Sequence, residues 1–183
     1  IKYYESHNLL QAESFDLGFF GKAIDERGIF ARKFVSENCE TSMLCSWDKT
    51  DLIFCIDPDL EIKPHDISKS INELSPSKIL IETTTLGFVE ILLIVSAVKD
   101  CPTVEIIEFL YIEPEEYKET FAVENPLPHN FSLSQSLGQL IPIPGFTKNF
   151  ARKNFSIHLI AFLGFEASRL GRVLEDDEGA GIS

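Results

Sequence analysis

The chain has 183 residues and a mass of 20.6 kDa, which fits one domain of ordinary size with a real hydrophobic core. Apolar residues make up 44% and charged residues 25%, so the composition disfavours intrinsic disorder, collagen-like repeats and coiled coils. The 16 Lys and Arg residues stand against 29 Asp and Glu residues, and the net charge of −13 disfavours generic nucleic-acid binding. We expect a single domain over residues 1–183, which could be a piece of a longer protein because the chain begins with Ile1.

The cysteines and the apolar stretches predict a cytoplasmic protein without a metal site or a membrane span. No apolar segment of the secretory type occurs near the start of the chain, and the cysteine spacing lacks the close pair of a structural zinc site. The histidines are scattered and form no metal-binding motif. The longest apolar stretch, residues 86–98, is too short to cross a bilayer. The four cysteines are Cys39, Cys45, Cys55 and Cys101.

Short β-like runs alternate with helix-like runs along the first half of the chain, which indicates an α/β sheet. The predicted elements are a strand at 15–21, a helix at 25–38, a strand at 51–57 and a helix at 65–75. The strand at 51–57 is nearly all apolar inside, as expected in a sheet covered on both faces. Asp25 is the expected N-cap of the first helix. The apolar stripe predicted on that helix consists of Ile29, Phe30, Phe34 and Val35.

The middle of the chain contains the clearest β-α-β unit. A strand at 78–82, a polar turn at 83–85, a helix at 86–100 and a buried strand at 103–111 predict parallel strands with a right-handed crossover. An irregular Pro-rich insertion is expected at about 113–150, followed by a strand at 156–164 and a helix at 165–177. The predicted fold is therefore α/β, a Rossmann-like three-layer sandwich with a mostly parallel sheet.

Two strand-to-helix turns resemble each other and predict a ligand site. Each has a glycine after a strand and then an acidic residue and an arginine near the start of a helix. In a parallel sheet both turns lie at the carboxyl edge, together with the threonine turn, and this is the edge where open α/β sheets bind ligands. The candidate ligand-binding residues are Gly21, Arg27, Thr83, Thr84, Thr85, Gly164, Glu166 and Arg169.

A purely structural interpretation of the same residues is also open. The threonines can cap the helix that follows them, and the arginines can pair with Glu26 and Glu166. Neither a G-x-G-x-x-G nor a P-loop motif occurs, so we expect no dinucleotide cofactor and no P-loop hydrolysis. No motif identifies catalytic residues. Glu82 and Glu166 are candidates for a carboxylate mechanism, together with Asp16, because all three are expected near strand ends.

Four segments together resemble a group of uncharacterised prokaryotic Rossmann-like proteins. The segments are Ile79–Thr84, Leu110–Tyr117, Ile143–Phe146 and Phe162–Glu166, so the resemblance covers about residues 78–178. The strand followed by threonines is also similar to the sensor domains of CRISPR-associated Rossmann-fold proteins, which bind cyclic oligonucleotides at that edge. Those domains usually have glycine and lysine after the threonine, where this chain has Leu86, Gly87 and Phe88.

These observations favour a regulatory or sensory module that binds an anionic, nucleotide-like small molecule. One alternative is a hydrolase or transferase acting on a phosphorylated or nucleotide substrate, so the sequence leaves open whether the protein is an enzyme. A second alternative is a protein-interaction module, in which the Pro-rich residues 113–150 dock a protein partner or a second copy of the chain.

Overall fold

The computed structural model describes residues 14–56, 59–113 and 143–146. The chain divides into two compact units, one of residues 1–114 with 143–145 and one of residues 115–142 with 146–183. The described residues lie almost entirely in the first unit. The expectation of a single domain over residues 1–183 stays a prediction.

A six-stranded mixed sheet forms the centre of the described structure, with strands in the order β4-β3-β2-β1-β5-β6. Three neighbouring pairs, β1–β2, β1–β5 and β5–β6, are parallel, whereas β2–β3 and β3–β4 are antiparallel. The α/β class and the mostly parallel sheet are thus confirmed. The strands are β1 (Phe15–Phe20), β2 (Cys39–Asp48), β3 (Ile53–Ile56), β4 (Leu60–Ile62), β5 (Lys78–Glu82) and β6 (Ile106–Leu110).

Three α-helices connect the strands: α1 (Glu26–Asn38), α2 (Ile67–Leu74) and α3 (Phe88–Lys99). A short 3-10 turn, Pro64–Asp66, precedes α2. Asp25 is the N-cap of α1, as predicted, and its carboxylate accepts a hydrogen bond from the amide of Gly28 at 2.9 Å. The predicted β-α-β unit of β5, α3 and β6 is present, with its two strands parallel.

Two hydrophobic clusters hold the helices against the sheet. Buried residues of α2 and α3 pack with Ile79 and Ile81 of β5, whereas buried residues of α1 pack with Leu80. Successive side chains of a strand point to opposite faces, so α1 and α3 cover opposite faces of β5. The finer three-layer Rossmann-like arrangement stays a prediction.

The second strand of the sheet corrects the sequence prediction. Residues 39–48 form β2, which we had not predicted, and the strand expected at 51–57 is β3, which pairs antiparallel with β2. The sequence signal for β2 is weak for two reasons. The helix α1 passes directly into β2 at Cys39 without a glycine or proline turn to mark the boundary. In addition, Glu40, Thr41 and Ser42 are exposed, so this part of the strand lacks the apolar residues of a buried strand. The short strand β4 was also missed.

The apolar stripe predicted on α1 is right at Phe34 and Val35 and wrong at its other two residues. Ile29 and Phe30 are exposed, and the buried face consists of Gly28, Ala31, Phe34 and Val35. Gly28 and Ala31 are small, so the helix packs closely against its neighbours at these two positions. A prediction based on large apolar side chains does not identify such positions as buried.

The strand β6 is less buried than predicted. Ile106 through Phe109 are exposed, and Leu110 is the buried residue of the strand. The reason is its place at the end of the strand order, where the described residues give it only β5 as a neighbour.

Pro144–Phe146 form the turn that their sequence predicts, and Gly145 has a φ of +83°. The rest of the Pro-rich insertion, the strand expected at 156–164 and the helix expected at 165–177 lie outside the described residues. Within the described part of the chain, no helix is both long enough and apolar enough to span a membrane.

Candidate functional site

The carboxyl ends of β1, β5 and β6 meet at one edge of the sheet because these three strands are parallel. Two loops leave this edge toward helices: residues 21–25 run from β1 to α1, and residues 83–87 run from β5 to α3. The loops carry four of the candidate ligand-binding residues, Gly21 and Thr83–Thr85, and a fifth, Arg27, lies in the first turn of α1. The parallel strands place these five residues at one edge of the sheet, and their role in ligand binding stays a prediction.

Glu82, the last residue of β5, organises the threonine turn from inside. Its side chain is 0% exposed. One carboxylate oxygen accepts a hydrogen bond from the amide of Thr84, and the other accepts from both the amide and the hydroxyl of Thr85. Three donors thus satisfy the hydrogen-bonding capacity of the buried carboxylate, as a polar group held away from water requires.

The other two threonine hydroxyls bind β6 and the residues after it. The Thr83 hydroxyl donates to the carbonyl oxygen of Leu110 at 2.9 Å, and the Thr84 hydroxyl accepts from the amide of Ile112 at 2.9 Å. The hydroxyls of all three threonines therefore make contacts inside the protein. This geometry supports the structural interpretation for the hydroxyls themselves.

Close backbone packing joins the two loops. The amide of Gly21 donates to the Thr85 hydroxyl at 2.7 Å. A Cβ atom at Gly21 would overlap the Thr85 carbonyl group, whose carbon would lie 2.6 Å away. A Cβ at Gly28 would lie 2.9 Å from the Thr85 methyl group and 3.0 Å from the Cα of Ala23. Ala23 of the first loop and Thr85 of the second loop therefore both lie against Gly28. Because a Cβ atom at residue 21 would overlap the Thr85 carbonyl group, only glycine fits there.

Arg27 pairs with Asp25, a partner that the structural interpretation of the sequence did not name. Its guanidinium donates two hydrogen bonds to one Asp25 oxygen, at 2.6 and 3.0 Å, while the other oxygen caps α1. The amide of Gly28 and then the Arg27 guanidinium hold the pKa of Asp25 below its ordinary value. Both side chains are little more than one third exposed, so the pair is open to solvent.

A second cation of the first loop, Lys22, was missed by the sequence reasoning. Its side chain is exposed, and it directly follows the glycine that contacts Thr85. The sequence contains Gly21-Lys22 at the end of a predicted strand, and this pair could have indicated a cation at the edge of the sheet. The pair matches no established phosphate-binding motif, so it was not singled out.

The first turn of α3 contains a carboxylate that the sequence reasoning also passed over. The N-cap is Gly87, which has no side chain to cap the helix. Glu90 folds back so that one oxygen would lie 2.5 Å from a Cβ at Gly87, and its other oxygen accepts from the amide of Trp47 at 3.0 Å. The start of α3 therefore already has an anionic neighbour supplied by the protein, which is favourable with the helix dipole.

Asp16 lies at the opposite edge of the sheet from Glu82. Its carboxylate accepts hydrogen bonds from the amides of Ser77 and Lys78, at 2.6 and 2.8 Å, where β5 begins. Glu82 ends the same strand. These two carboxylates therefore do not form a pair, and the combination with Asp16 that we had considered for a carboxylate mechanism is wrong.

The four cysteines are free thiols. Burial raises the pKa of Cys39 to about 12, and burial together with the nearby Glu90 charge raises the pKa of Cys45 as well. Both thiols stay protonated at neutral pH and are poor nucleophiles. Among residues 14–56, 59–113 and 143–146, no group of three or more His, Cys, Asp or Glu side chains is arranged to hold a metal ion.

The remaining candidate residues, Gly164, Glu166 and Arg169, lie outside the described residues. The chain matches no family model, and no curated protein or solved structure is significantly similar to it.

Proposed function

We propose that the first unit is a Rossmann-like module that binds an anionic, nucleotide-like small molecule at the carboxyl edge of the sheet, in a regulatory or sensory role. The observation that carries the proposal is the strand order, in which β1 lies between β2 and β5. The chain leaves β1 toward β2 on one side and later returns to β5 on the other side. In open α/β sheets, such a reversal of strand order marks the crevice where ligands bind.

The packing of the helices supports the same location. The helix that follows β1 and the helix that follows β5 belong to the two different hydrophobic clusters, so they diverge to opposite faces of the sheet. The loops at residues 21–25 and 83–87 flank the point where the helices diverge. Gly21 and Thr85 are in contact, so the proposed ligand binds on the solvent side of that contact.

The charges of the first loop favour an anion. Lys22 is exposed, and Arg27 is held by Asp25 with about one third of its side chain open to solvent. Asp25 and Glu26 lie in the same segment, so residues 22–27 have no net positive charge, and the exposed Lys22 is the group on which the proposal rests. The threonine hydroxyls contribute to the shape of the site, and Lys22 supplies the main attraction for the anion.

Binding is better supported than catalysis. Glu82, the described candidate for a general base, is fully buried and accepts three hydrogen bonds, so it is not available to take a proton from a ligand. The hydrolase or transferase alternative then depends on Glu166, which lies outside the described residues.

A specific observation supports the protein-interaction alternative. Ile107 and Phe109 lie on one side of β6, Tyr111 follows the strand, and all three side chains are exposed. Rows of exposed apolar residues commonly mark contact surfaces. A protein whose only function is interaction would show no small-molecule binding that depends on Lys22.

The proposal is tested by thermal unfolding of the chain with inorganic phosphate, ribose 5-phosphate and 5′-mono-, di- and cyclic nucleotides. A ligand present at 100 times its dissociation constant stabilises the native state by about 2.7 kcal/mol. We expect a shift with at least one nucleotide, a much smaller shift for Lys22→Ala, and an unchanged shift for Lys99→Ala, whose exposed lysine lies in the last turn of α3. The absence of a shift with every compound, or equal losses in both variants, would refute the proposal.

A further inference from the structure

Two large apolar side chains next to the proposed site are exposed. Ile24, in the loop from β1 to α1, is 89% exposed, and Phe88, the first residue of α3, is 72% exposed. These are the two highest exposures among the large hydrophobic residues of the described chain. Single exposed apolar residues are ordinary, but Ile24 lies in one of the two contacting loops and Phe88 directly follows the other.

The backbone contacts place the two side chains on neighbouring segments. Gly21 contacts Thr85, and Ala23, which precedes Ile24, lies against Gly28 together with the Thr85 methyl group. Ile24 is three residues beyond Gly21, and Phe88 is three residues beyond Thr85. Ile24 and Phe88 are therefore each close in sequence to the contact between Gly21 and Thr85.

A cation precedes Ile24 in the first loop. Lys22 is exposed and stands two residues before Ile24. A ligand that satisfies all three side chains needs a flat or apolar group for the ring of Phe88 and the side chain of Ile24, and an anionic group for Lys22. A nucleoside phosphate has both parts, since its base stacks on aromatic rings and its phosphate pairs with a cation.

We infer that Phe88 and Ile24 form the base-binding side of the proposed site, and that its ligands are nucleoside phosphates recognised through the base as well as the phosphate. This inference rests on the proposed function. It adds that sugar phosphates without a base bind much more weakly, because the stacking contact is missing.

The test is isothermal titration of the 183-residue chain with the four common 5′-nucleoside monophosphates and with ribose 5-phosphate. We expect at least one nucleoside monophosphate to bind at least tenfold more tightly than ribose 5-phosphate. Phe88→Ala should reduce that difference to about twofold without changing the affinity for ribose 5-phosphate, and Phe88→Leu should have an intermediate effect. Phe109→Ala is the matched control, because Phe109 is 57% exposed on β6 and should leave all affinities unchanged.

The outcomes separate the two proposals. Equal affinities for ribose 5-phosphate and every nucleoside monophosphate, with binding lost in Lys22→Ala, would overturn the base-binding inference and leave the anion site in place. A base-dependent affinity that Phe88→Ala does not reduce would also overturn it. If none of these compounds binds, both proposals fail. Thermal unfolding of each variant without ligand checks that it is folded.

Discussion

The backbone amide of Gly21 donates a 2.7 Å hydrogen bond to the hydroxyl of Thr85, which joins the end of β1 to the turn that follows β5. The same hydroxyl donates to the buried carboxylate of Glu82. This chain of contacts holds the loop after β1 against the loop after β5 at the point where the strand order reverses. The predictions below follow from this contact and from the local structure that surrounds it.

Replacement of Gly21 by alanine should destabilise the protein. The new Cβ would meet the backbone carbonyl of Thr85, which cannot move without shifting the turn after β5. Overpacking of this kind costs about 1–3 kcal/mol in the free energy of unfolding. Urea denaturation at pH 7 measures the change.

Gly87→Ala is the matched control for this substitution. Its new Cβ would meet the carboxylate end of Glu90, a flexible side chain that can rotate away. We expect it to lower the free energy of unfolding by less than Gly21→Ala does. Equal losses in the two variants would show that the close contact of the two loops does not have the importance assigned to it.

Glu82→Gln should lower the free energy of unfolding by about 1–3 kcal/mol, because a glutamine amide nitrogen cannot accept the hydrogen bonds that Glu82 accepts. Thr85→Val should also destabilise, since it removes the hydroxyl that links Gly21 to Glu82. The double variant should lose less than the two single losses added together, because the substituted groups share one hydrogen bond. Strict additivity in urea denaturation would argue against this network.

The stability of the protein should depend on pH through Asp16. Hydrogen bonds from the amides of Lys78 and Ser77 hold the pKa of Asp16 below its ordinary value near 4. A lowered pKa in the folded state contributes stability that is fully present above the unfolded value and is lost as the pH falls through the folded value. Native protein should therefore be more stable than Asp16→Asn at pH 7, and the difference should shrink below about pH 4.

Urea denaturation at pH 7, 5, 4 and 3 measures this difference. The control is Asp59→Asn, because Asp59 has an exposed side chain just before β4. A difference between native protein and Asp16→Asn that stays constant down to pH 3 would show that the amide contacts of Asp16 do not supply the stability.

Two backbone positions offer stabilising substitutions. Leu52 and Ser75 have φ angles of 55° and 50°, in the left-handed region that side chains other than glycine adopt at a cost. Leu52→Gly and Ser75→Gly should each raise the free energy of unfolding by about 0.5–1 kcal/mol after the greater flexibility of glycine in the unfolded chain is included. Leu60→Gly, in the extended strand β4, should instead destabilise. Destabilisation by all three would contradict the account of these turns.

Much of the fold could be predicted where the sequence pattern is local. The unit of β5, α3 and β6, the helix after Asp25 and the polar turn at Thr83–Thr85 follow from runs of apolar residues, a capping aspartate and a cluster of hydroxyl residues. The strand β2 could not, since its exposed polar residues hide its pairing with β1. Strand order is also a tertiary property, so the reversal at β1 is visible only in the structure.

The sequence predicts which described residues lie at the carboxyl edge better than it predicts the contacts they make. The sequence brings Gly21, Arg27 and the threonines to one edge, but it cannot show that the threonine hydroxyls bind Glu82, Leu110 and Ile112. Leu110 and Ile112 are 27 and 28 residues along the chain from the threonines they contact. Glu82 is close in sequence, but its contact with Thr85 depends on the direction in which its side chain points. Lys22 was overlooked because a single lysine after a glycine is a common pair without a specific motif.

The location of the ligand site is the central claim, and backbone amide chemical shifts measured by NMR test it most directly. Each 5′-nucleoside monophosphate is added to uniformly ¹⁵N-labelled protein, which also reveals weak binding. The account predicts shifts concentrated at the amides of residues 21–27 and 84–88, reduced in Lys22→Ala. Shifts confined to the opposite edge, around Ser77 and Lys78, or no shifts with any nucleotide, would contradict it.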